Sequence, residues 1–474
     1  MSPFLDFPAL KIIQTLARDK KRKVYLVGGC LRDQLLGRPQ TDFDFAVDRG
    51  ALTLARTFAQ TIKGAFVLLD EDAGCARVVK KQNGKMFTFD FADFRASTLA
   101  KDIAGRDFTI NTLCLPLKDW TDQTSVAENL LDFTHAHRDL KAKVIRMVAP
   151  RAFQDDPLRI MRAYSLRAQL GFRIEAKTLA RIKKEKTLIG HVSAERVREE
   201  LFKILASPRT HAVIQDMDRI GLLVCIIPQV TVMYKVHQGG YHHLDVWRHT
   251  LEALKQLDKI IEDAQSNAAW VEYLNAPIGG GHPRYALIKL AILLHDIGKP
   301  DTKRQENGRM SFHTHEHVGK RIARVVAKNL KLSVKERYAI EDMVLFHLRP
   351  GYLSNFKKPS EKSIFRYFRD TRDEAAGILF LSLADQRATR GPMTSDKDQM
   401  HHDKICRGLI DRFFVMKQHV PLVRLINGND LIKILKLKPS PLFAKILKNV
   451  EEQQALGKIR NKKEALDVAR GMAA

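Results

Sequence analysis

No apolar run in this 474-residue chain approaches the roughly 18 residues needed to span a bilayer. The start, "MSPFLDFPALKIIQTLARDKK", has no basic region followed by an apolar one, so no signal peptide is expected. Cysteine is scarce. Cys30, Cys75, Cys114, Cys225 and Cys406 are odd in number and scattered, making neither a CxxC site nor a disulfide framework. A reduced, cytoplasmic protein with no membrane association is the simplest expectation. Acid is also short: 54 Asp+Glu face 80 Lys+Arg, a formal net charge of +26. That excess points to a polyanionic partner, nucleic acid first. Internal repeats and long low-complexity segments are absent, and nothing in the sequence indicates a protein partner or an oligomeric state.

What is present begins with "YLVGGCLRDQLLGRPQTDFDFAV", Tyr25 to Val47. Val24 to Val27 reads as a strand, Gly28-Gly29 as a turn, "CLRDQLLG" as a short helix ended by Gly37, and "DFDFAV" as a second strand. Side chains alternate along a strand, so Asp42 and Asp44 share one face while Phe43 and Phe45 can enter a core. Two such carboxylates repel unless a cation neutralises them. Hard oxygens at this spacing suit Mg²⁺, with substrate phosphates completing the shell. The glycine turn lets backbone N–H groups approach a phosphate. Cys30, beside that turn, is read as a packed thiol rather than a nucleophile.

These residues resemble motif A of the class II tRNA nucleotidyltransferases and bacterial poly(A) polymerases, close to L-V-G-G-x-V-R-D-x-L-L-G-R-x-x-x-D-x-D, with Leu31 in place of the valine. The resemblance implies Asp42 and Asp44 as catalytic Mg²⁺ ligands, with Gly28, Gly29 and Arg32 at the nucleotide. Further blocks agree. "DIAGRDFTINTL" (102–113) is similar to the family's D-L-x-R-R-D-F-T-I-N-A, with Gly105 for the first arginine and Thr112 for the last alanine. It implies Arg106, Asp107 and Asn111 at the triphosphate and ribose. In "FQDDPLRIMRAYSLRAQLGF" (153–172) lies the E-D-x-x-R template, with Asp155 for the glutamate. Pro157 suits the first turn of a helix. Asp156, Arg159 and Arg162, at steps of three, are expected on one face of it.

In the family the Asp and Arg of that template read the incoming base. The chemistry accounts for it: cytosine and adenine each show an amino donor beside a ring-nitrogen acceptor, which a carboxylate and a guanidinium match. Guanine and uracil show the reverse order. Where the family often has a further arginine stands Ser165, with Arg167 as the candidate to compensate. "HVSAERVREELFKIL" (191–205) is read as helix scaffolding, Glu195 and Glu199 against Arg198.

A second constellation follows. His249 falls in a helical pattern, His295-Asp296 end the apolar "LAILLHDIGKP", and His315, His347 and Asp385 come later. The order H…HD…H…H…D resembles the HD phosphohydrolase superfamily. It implies His249, His295, Asp296 and Asp385 as ligands of one divalent metal, with His315 and His347 for a second. Imidazole mixed with carboxylate suits a transition ion such as Ni²⁺, Mn²⁺ or Co²⁺ that activates water. His242, His243, His313 and His317 are assigned to the surface or to support.

The expected fold is α+β: a small polymerase-β-like sheet head (1–145), a helical RNA-binding neck (146–235), an HD domain (236–415) and a basic helical region (416–474). "AFVLLD", "ARVVKK" and "MFTFDFADF" supply further strands of the head, and "NAPIGGGHPR" (275–284) is a loop. The expected enzyme adds C and A, or part of CCA, to the 3′ end of tRNA from CTP and ATP, without a template. Two rivals remain at this stage: a poly(A) polymerase, disfavoured because familiar members lack an HD domain, and an HD phosphohydrolase using its head to hold RNA.

Overall fold

In the computed structural model, residues 8–120, 129–306, 309–418 and 422–473 are described. Met1–Phe7, part of the stretch where no leader is expected, lies outside them. The chain divides into two compact units: Met1–Leu201 with Ile220–Cys225, and Phe202–Arg219 with Ile226–Ala474.

The first unit is built on six strands: β1 (Val24–Val27), β2 (Asp42–Val47), β3 (Ala65–Asp70), β4 (Cys75–Gln82), β5 (Lys85–Asp93) and β6 (Cys114–Pro116). They lie in the order β3-β4-β5-β2-β1-β6, so every strand expected from the sequence is present. β2 runs antiparallel to β1 but parallel to β5. The period-two alternation sets the faces. Phe43 and Phe45 are buried and stack on Phe89 and Phe91 of β5, with centroids 5.4 and 4.9 Å apart. Helix Ala51–Ile62 covers them, Phe58 meeting Phe89 edge-on at 5.1 Å. Packing of that kind adds to the burial of the rings and fixes the strand register. The opposite face of β2 is left to Asp42 and Asp44.

The second unit is helical. Helices Val246–Asp263, Arg284–Leu294, His315–Asn329, Val334–Phe346 and Ala375–Ala388 pack together; every side chain from Ala286 to Leu294 is buried. "NAPIGGGHPR" holds a short hairpin, His282 pairing with Ile278, where only a loop was expected. Its apex tolerates little bulk, because a Cβ on Gly280 would fall 2.4 Å from a Glu336 carboxylate oxygen. The C-terminal helices Gly428–Lys433, Pro441–Ala455 and Lys462–Ala473 enclose their own small core around Leu431, Ile446 and Val450. The first of them is capped by Asn427 with Asp430.

Candidate functional sites: a carboxylate face and a buried histidine centre

Strand β1 is followed by Gly28, whose φ of +86° suits glycine. A Cβ there would lie 3.0 Å from Asp44 Oδ2 and 3.8 Å from Arg106 Nη1. The turn therefore brings bare backbone against the carboxylate face. Asp42 Oδ1 accepts a hydrogen bond from Thr88 on β5. Loss of water around Asp44 and the charge of neighbouring Asp90 push its carboxyl up to about 6, against the pull of Arg106 and Arg162. Cys30 behaves as expected: buried, with its thiol pushed up to about 12 by burial and by Asp44.

The remaining motif residues of this unit form a chain. Arg32 grips Asp33 through Nε (2.8 Å) and Nη2 (2.6 Å), and its Nη1 donates to Asn111 Oδ1 at 2.6 Å. Asn111 Nδ2 donates to Asp107 at 3.2 Å, and Asp107 accepts Arg162 at 3.0 Å. Arg106 pairs with Asp102 at 3.3 Å, but its Nε is buried without a hydrogen bond. The helix after the glycine turn, the second motif and the template helix are thus tied by one polar network. Asp107 and Asn111 are buried within it, which makes them orienting groups for Arg32 and Arg162.

The template departs from expectation. Asp156 does not share a helical face with Arg159 and Arg162. The helix starts at Leu158 with Pro157 as its cap, and Asp156 is extended, at φ −147°. A residue before proline is pushed from the helical region by the pyrrolidine ring. Arg159 is turned inward, donating to the carbonyls of Gly105 (2.8 Å), Arg106 (3.2 Å) and Ala152 (3.3 Å). Asp156 accepts Arg196 at 3.1 Å. Arg196 belongs to the stretch read as scaffolding, where Arg198 and Glu199 do pair with each other at 2.7 Å. Ser165 donates to Glu200, and Arg167 Nη1 reaches the Phe172 carbonyl at 3.4 Å, at its own helix end.

Two charged neighbours went unread: Asp90, opposite Asp44 in the parallel β2–β5 register, and Arg77, opposite Asp90 on β4. The signal was there, since "TFDF" of β5 repeats the alternation of "DFDF" in β2.

In the second unit all six expected ligands converge. Their ligand atoms fall into two groups, His249/His295/Asp385 and Asp296/His315/His347, each within 4.8 Å. His249 Nε2 lies 2.8 Å from Asp385, His295 Nε2 is 3.2 Å from Asp296, and His315 Nε2 is 3.2 Å from His347 Nε2. Asp296 links the groups, its Oδ1 3.4 Å from His315 and its Oδ2 3.9 Å from His249. Each of three rings is held from behind. Nδ1 of His295, His315 and His347 donates to the carbonyl three residues earlier, Ile292, Phe312 and Val344, at 2.8, 2.8 and 2.7 Å. That fixes the tautomer and aims each Nε2 lone pair inward, as metal-ligating histidines require.

Charge supports the same reading. Against the burial that would lower it, Asp296 and Asp385 push His295 up to about 10, while burial and neighbouring His315 and His295 hold His347 down to about 3. His295 Nε2 is nevertheless buried without a hydrogen bond. Such a donor set fits a divalent cation better than it fits protons. Lys299, four residues past His295, bonds Asp296 at 2.7 Å and Gln238 at 2.6 Å. Gly298 is required by contact: a Cβ would lie 2.2 Å from the His315 carbonyl oxygen. A cleft of about 740 Å³ opens onto the centre. Of the supporting histidines, His242 is half-buried, its ring edge-on to His249 at 4.7 Å, whereas His243, His313 and His317 are exposed.

A paired-carboxylate nucleotidyltransferase head and an HD-type histidine–aspartate centre in one chain define a protein with two sites for phosphoryl chemistry. Comparison agrees. Residues 24–146 match the Poly A polymerase head domain, 171–233 the probable RNA and SrmB-binding site of polymerase A, 246–389 the HD domain, and 417–469 the putative tRNA nucleotidyltransferase domain 2. The A-adding tRNA nucleotidyltransferase of Deinococcus radiodurans is 30% identical over 450 residues, 93% of each chain. The CC-adding enzyme of Geobacter sulfurreducens is 29% identical over 98% of this chain and 95% of its own. Among solved structures, the Thermotoga maritima CCA-adding enzyme complexed with tRNA has the same fold: TM-score 0.58, 22% identity, coverage 98% and 95%. The chain belongs to the class II tRNA nucleotidyltransferase family and carries an HD domain. Both catalytic domain types imply dependence on divalent metal.

Proposed function

We propose that this enzyme adds C, A or both to the 3′ end of tRNA from CTP and ATP without a template, releasing pyrophosphate. The observation that carries this reading is the β2 face, where Asp42 and Asp44 stand side by side against a glycine turn that leaves room for phosphate. Their hard oxygens fit Mg²⁺, which when bound would lower the charge on the attacking 3′-OH and steady the triphosphate for in-line displacement. Arg106 and Arg162 lie close to Asp44 and suit the phosphates, with Arg32 oriented through Asn111. Asp156 and Arg159 would read the base, Asp156 accepting from the amino group of C or A. The head (1–145) then holds the chemistry, and the basic regions 146–235 and 416–474 grip tRNA phosphates and shape.

The test is incubation with tRNAs truncated before each of the three terminal nucleotides, with each labelled NTP in turn. The two relatives, one A-adding and one CC-adding, are close to equal in identity, so the pattern of acceptors used assigns the subclass. No addition to any of the three would refute the reading.

A second activity is favoured by the three rings anchored through Nδ1. The HD centre would hold Ni²⁺, Mn²⁺ or Co²⁺ on His249, His295, Asp296 and Asp385, with His315 and His347 available to a second ion, and hydrolyse small phosphoesters such as 2′,3′-cyclic nucleotides. Lys299 would place positive charge beside the phosphate.

A further inference from the structure

The turn that precedes helix Val246–Asp263 walls one side of the cleft over the histidine centre, and its own hydrogen bonds shape it. The Val246 N–H donates to the Val236 carbonyl at 2.9 Å, Gln238 Nε2 to the Leu244 carbonyl at 3.3 Å, and the His242 N–H to the Gly239 carbonyl at 3.2 Å. A second segment backs it. The Met393 N–H donates to the Gly240 carbonyl at 3.3 Å, and a Cβ on Gly391 would lie 2.4 Å from that same oxygen. On this wall Gln238 holds Lys299, and His242, four residues on, lines the cleft together with Lys299 and Asp296. His242 belongs to neither ligand group, although its ring meets His249 edge-on. Its Nδ1 is buried without a hydrogen-bond partner, which leaves Nε2 as the nitrogen open to the cleft.

We propose that His242 is a substrate-binding residue of the HD centre, its Nε2–H donating a hydrogen bond to a phosphoryl oxygen of the phosphoester held there. The proposal rests on the hydrolase reading of that centre given above. The polarity of the ring is the argument. In His295, His315 and His347 the Nδ1 hydrogen is spent on a carbonyl, so Nε2 offers a lone pair. In His242 no acceptor meets Nδ1. A neutral imidazole has one N–H, and placing it on Nδ1 would bury an unpaired donor, which costs free energy. An imidazolium has an N–H on both nitrogens. In either state Nε2 carries hydrogen, so this ring is a donor where the other three are acceptors. A donor cannot ligate a cation, but it suits the anionic oxygens that a metal-bound phosphoester turns toward the protein. Such a bond to a charged acceptor is short and directional. Lys299 supplies charge to the same wall, and His242 supplies direction.

The experiment compares the full-length wild type with His242→Ala, His242→Asn and His242→Gln, each loaded with Mn²⁺, and takes Asp296→Ala as the blank that lacks the HD centre. Three quantities are read: bound Mn²⁺ by mass spectrometry, affinity for inorganic phosphate by calorimetry after subtracting the blank, and KM and kcat for 2′,3′-cyclic AMP. The two amides separate the ring nitrogens, since the Asn amide nitrogen falls near the place of Nδ1 and the Gln amide nitrogen near that of Nε2. All three variants should hold as much Mn²⁺ as the wild type. In His242→Ala and His242→Asn the phosphate Kd and the KM should rise on the order of tenfold, and His242→Gln should recover most of that loss. Unchanged phosphate affinity in His242→Ala overturns the proposal. So does loss of Mn²⁺ from a variant that still melts cooperatively, which would make His242 a support for the ligands. So does rescue by Asn in place of Gln, which would put Nδ1 on the substrate. A wild type that binds Mn²⁺ and phosphate above the blank yet leaves the cyclic nucleotide intact defeats the hydrolase reading alone, and the phosphate comparison still judges His242. A wild type indistinguishable from the blank in both metal and phosphate overturns the two together.

Discussion

Gly28 and Asp44 approach so closely that one methyl group on the first would sit 3.0 Å from a carboxylate oxygen of the second. Gly28→Ala should therefore fail twice. Its φ of +86° strains any L side chain, at a cost on the order of 1 kcal/mol or more. The methyl also displaces Asp44. The expected result is a modest fall in Tm with loss of nucleotide addition, tRNA binding being retained; addition at the wild-type rate would remove Gly28 from the site.

Asp42→Ala and Asp44→Ala should each abolish addition while tRNA affinity stays near the parent's, because affinity comes from the basic body. A tRNA filter-binding assay beside the addition assay separates the two effects.

The Asp44 carboxyl, raised to about 6, makes cation binding pH-dependent. At pH 6 a large fraction of Asp44 is protonated, so Mg²⁺ binding should release protons there and release fewer at pH 8. The sign for stability follows. The folded-state value lies above the ordinary 3.8, so the metal-free fold is favoured at low pH and loses that contribution as pH rises through about 6. Asp44→Asn should raise the Tm of metal-free protein at pH 7.5 and leave it unchanged near pH 3. Proton release is read by calorimetry in buffers of different ionisation enthalpy; equal release by Asp44→Asn would contradict the assignment.

Asp156 and Arg159 should respond differently to truncation. Arg159→Ala strips a partner from the carbonyls of Gly105, Arg106 and Ala152, so it should lose about 1–3 kcal/mol of stability and also admit UTP or GTP. Asp156→Ala leaves the exposed Arg196 and the Leu158 N–H at the helix start without their carboxylate partner, and should relax base choice with a smaller fall in Tm than Arg159→Ala. Competition among the four NTPs, with melting curves, checks both.

His295→Ala or Asp296→Ala should remove bound transition metal and any phosphoesterase activity, while nucleotide addition survives in protein that still melts cooperatively. Metal content by mass spectrometry gives the first readout. A folded Asp296→Ala protein that loses both activities would assign the HD centre to the transfer chemistry.

What could be read from the sequence was local. The strand–turn–strand around Gly28, Asp42 and Asp44 lies within about twenty residues and its alternation is plain. The six HD-type residues were legible because their order along the chain carries a pattern. What escaped was set by pairing between distant segments. Asp90 stands beside Asp44 only because β2 and β5 run parallel, 46 residues apart in register; the alternation of "TFDF" sets the face of Asp90 but not the strand it pairs with. Arg196 reaches Asp156 across 40 residues. The misplacement of Asp156 had a local cause: counting in threes across Pro157 assumed a helix that proline starts rather than continues.

The anchoring of the HD imidazoles has a consequence for how this centre tolerates change. His295 and His347 each cap the C-terminal end of a helix and each borrow a carbonyl from their own last turn. Ring orientation is thus encoded within four residues, not by long-range fit. Two helix ends, each with partial negative charge, also point at the same spot. Long insertions between the ligand segments would leave the aim of these two rings intact, and the helix-end pull on a cation would remain, though too weak to hold the ion once a ligand such as His295 is truncated. Such a centre can drift in metal preference by single substitutions without first passing through a collapsed fold.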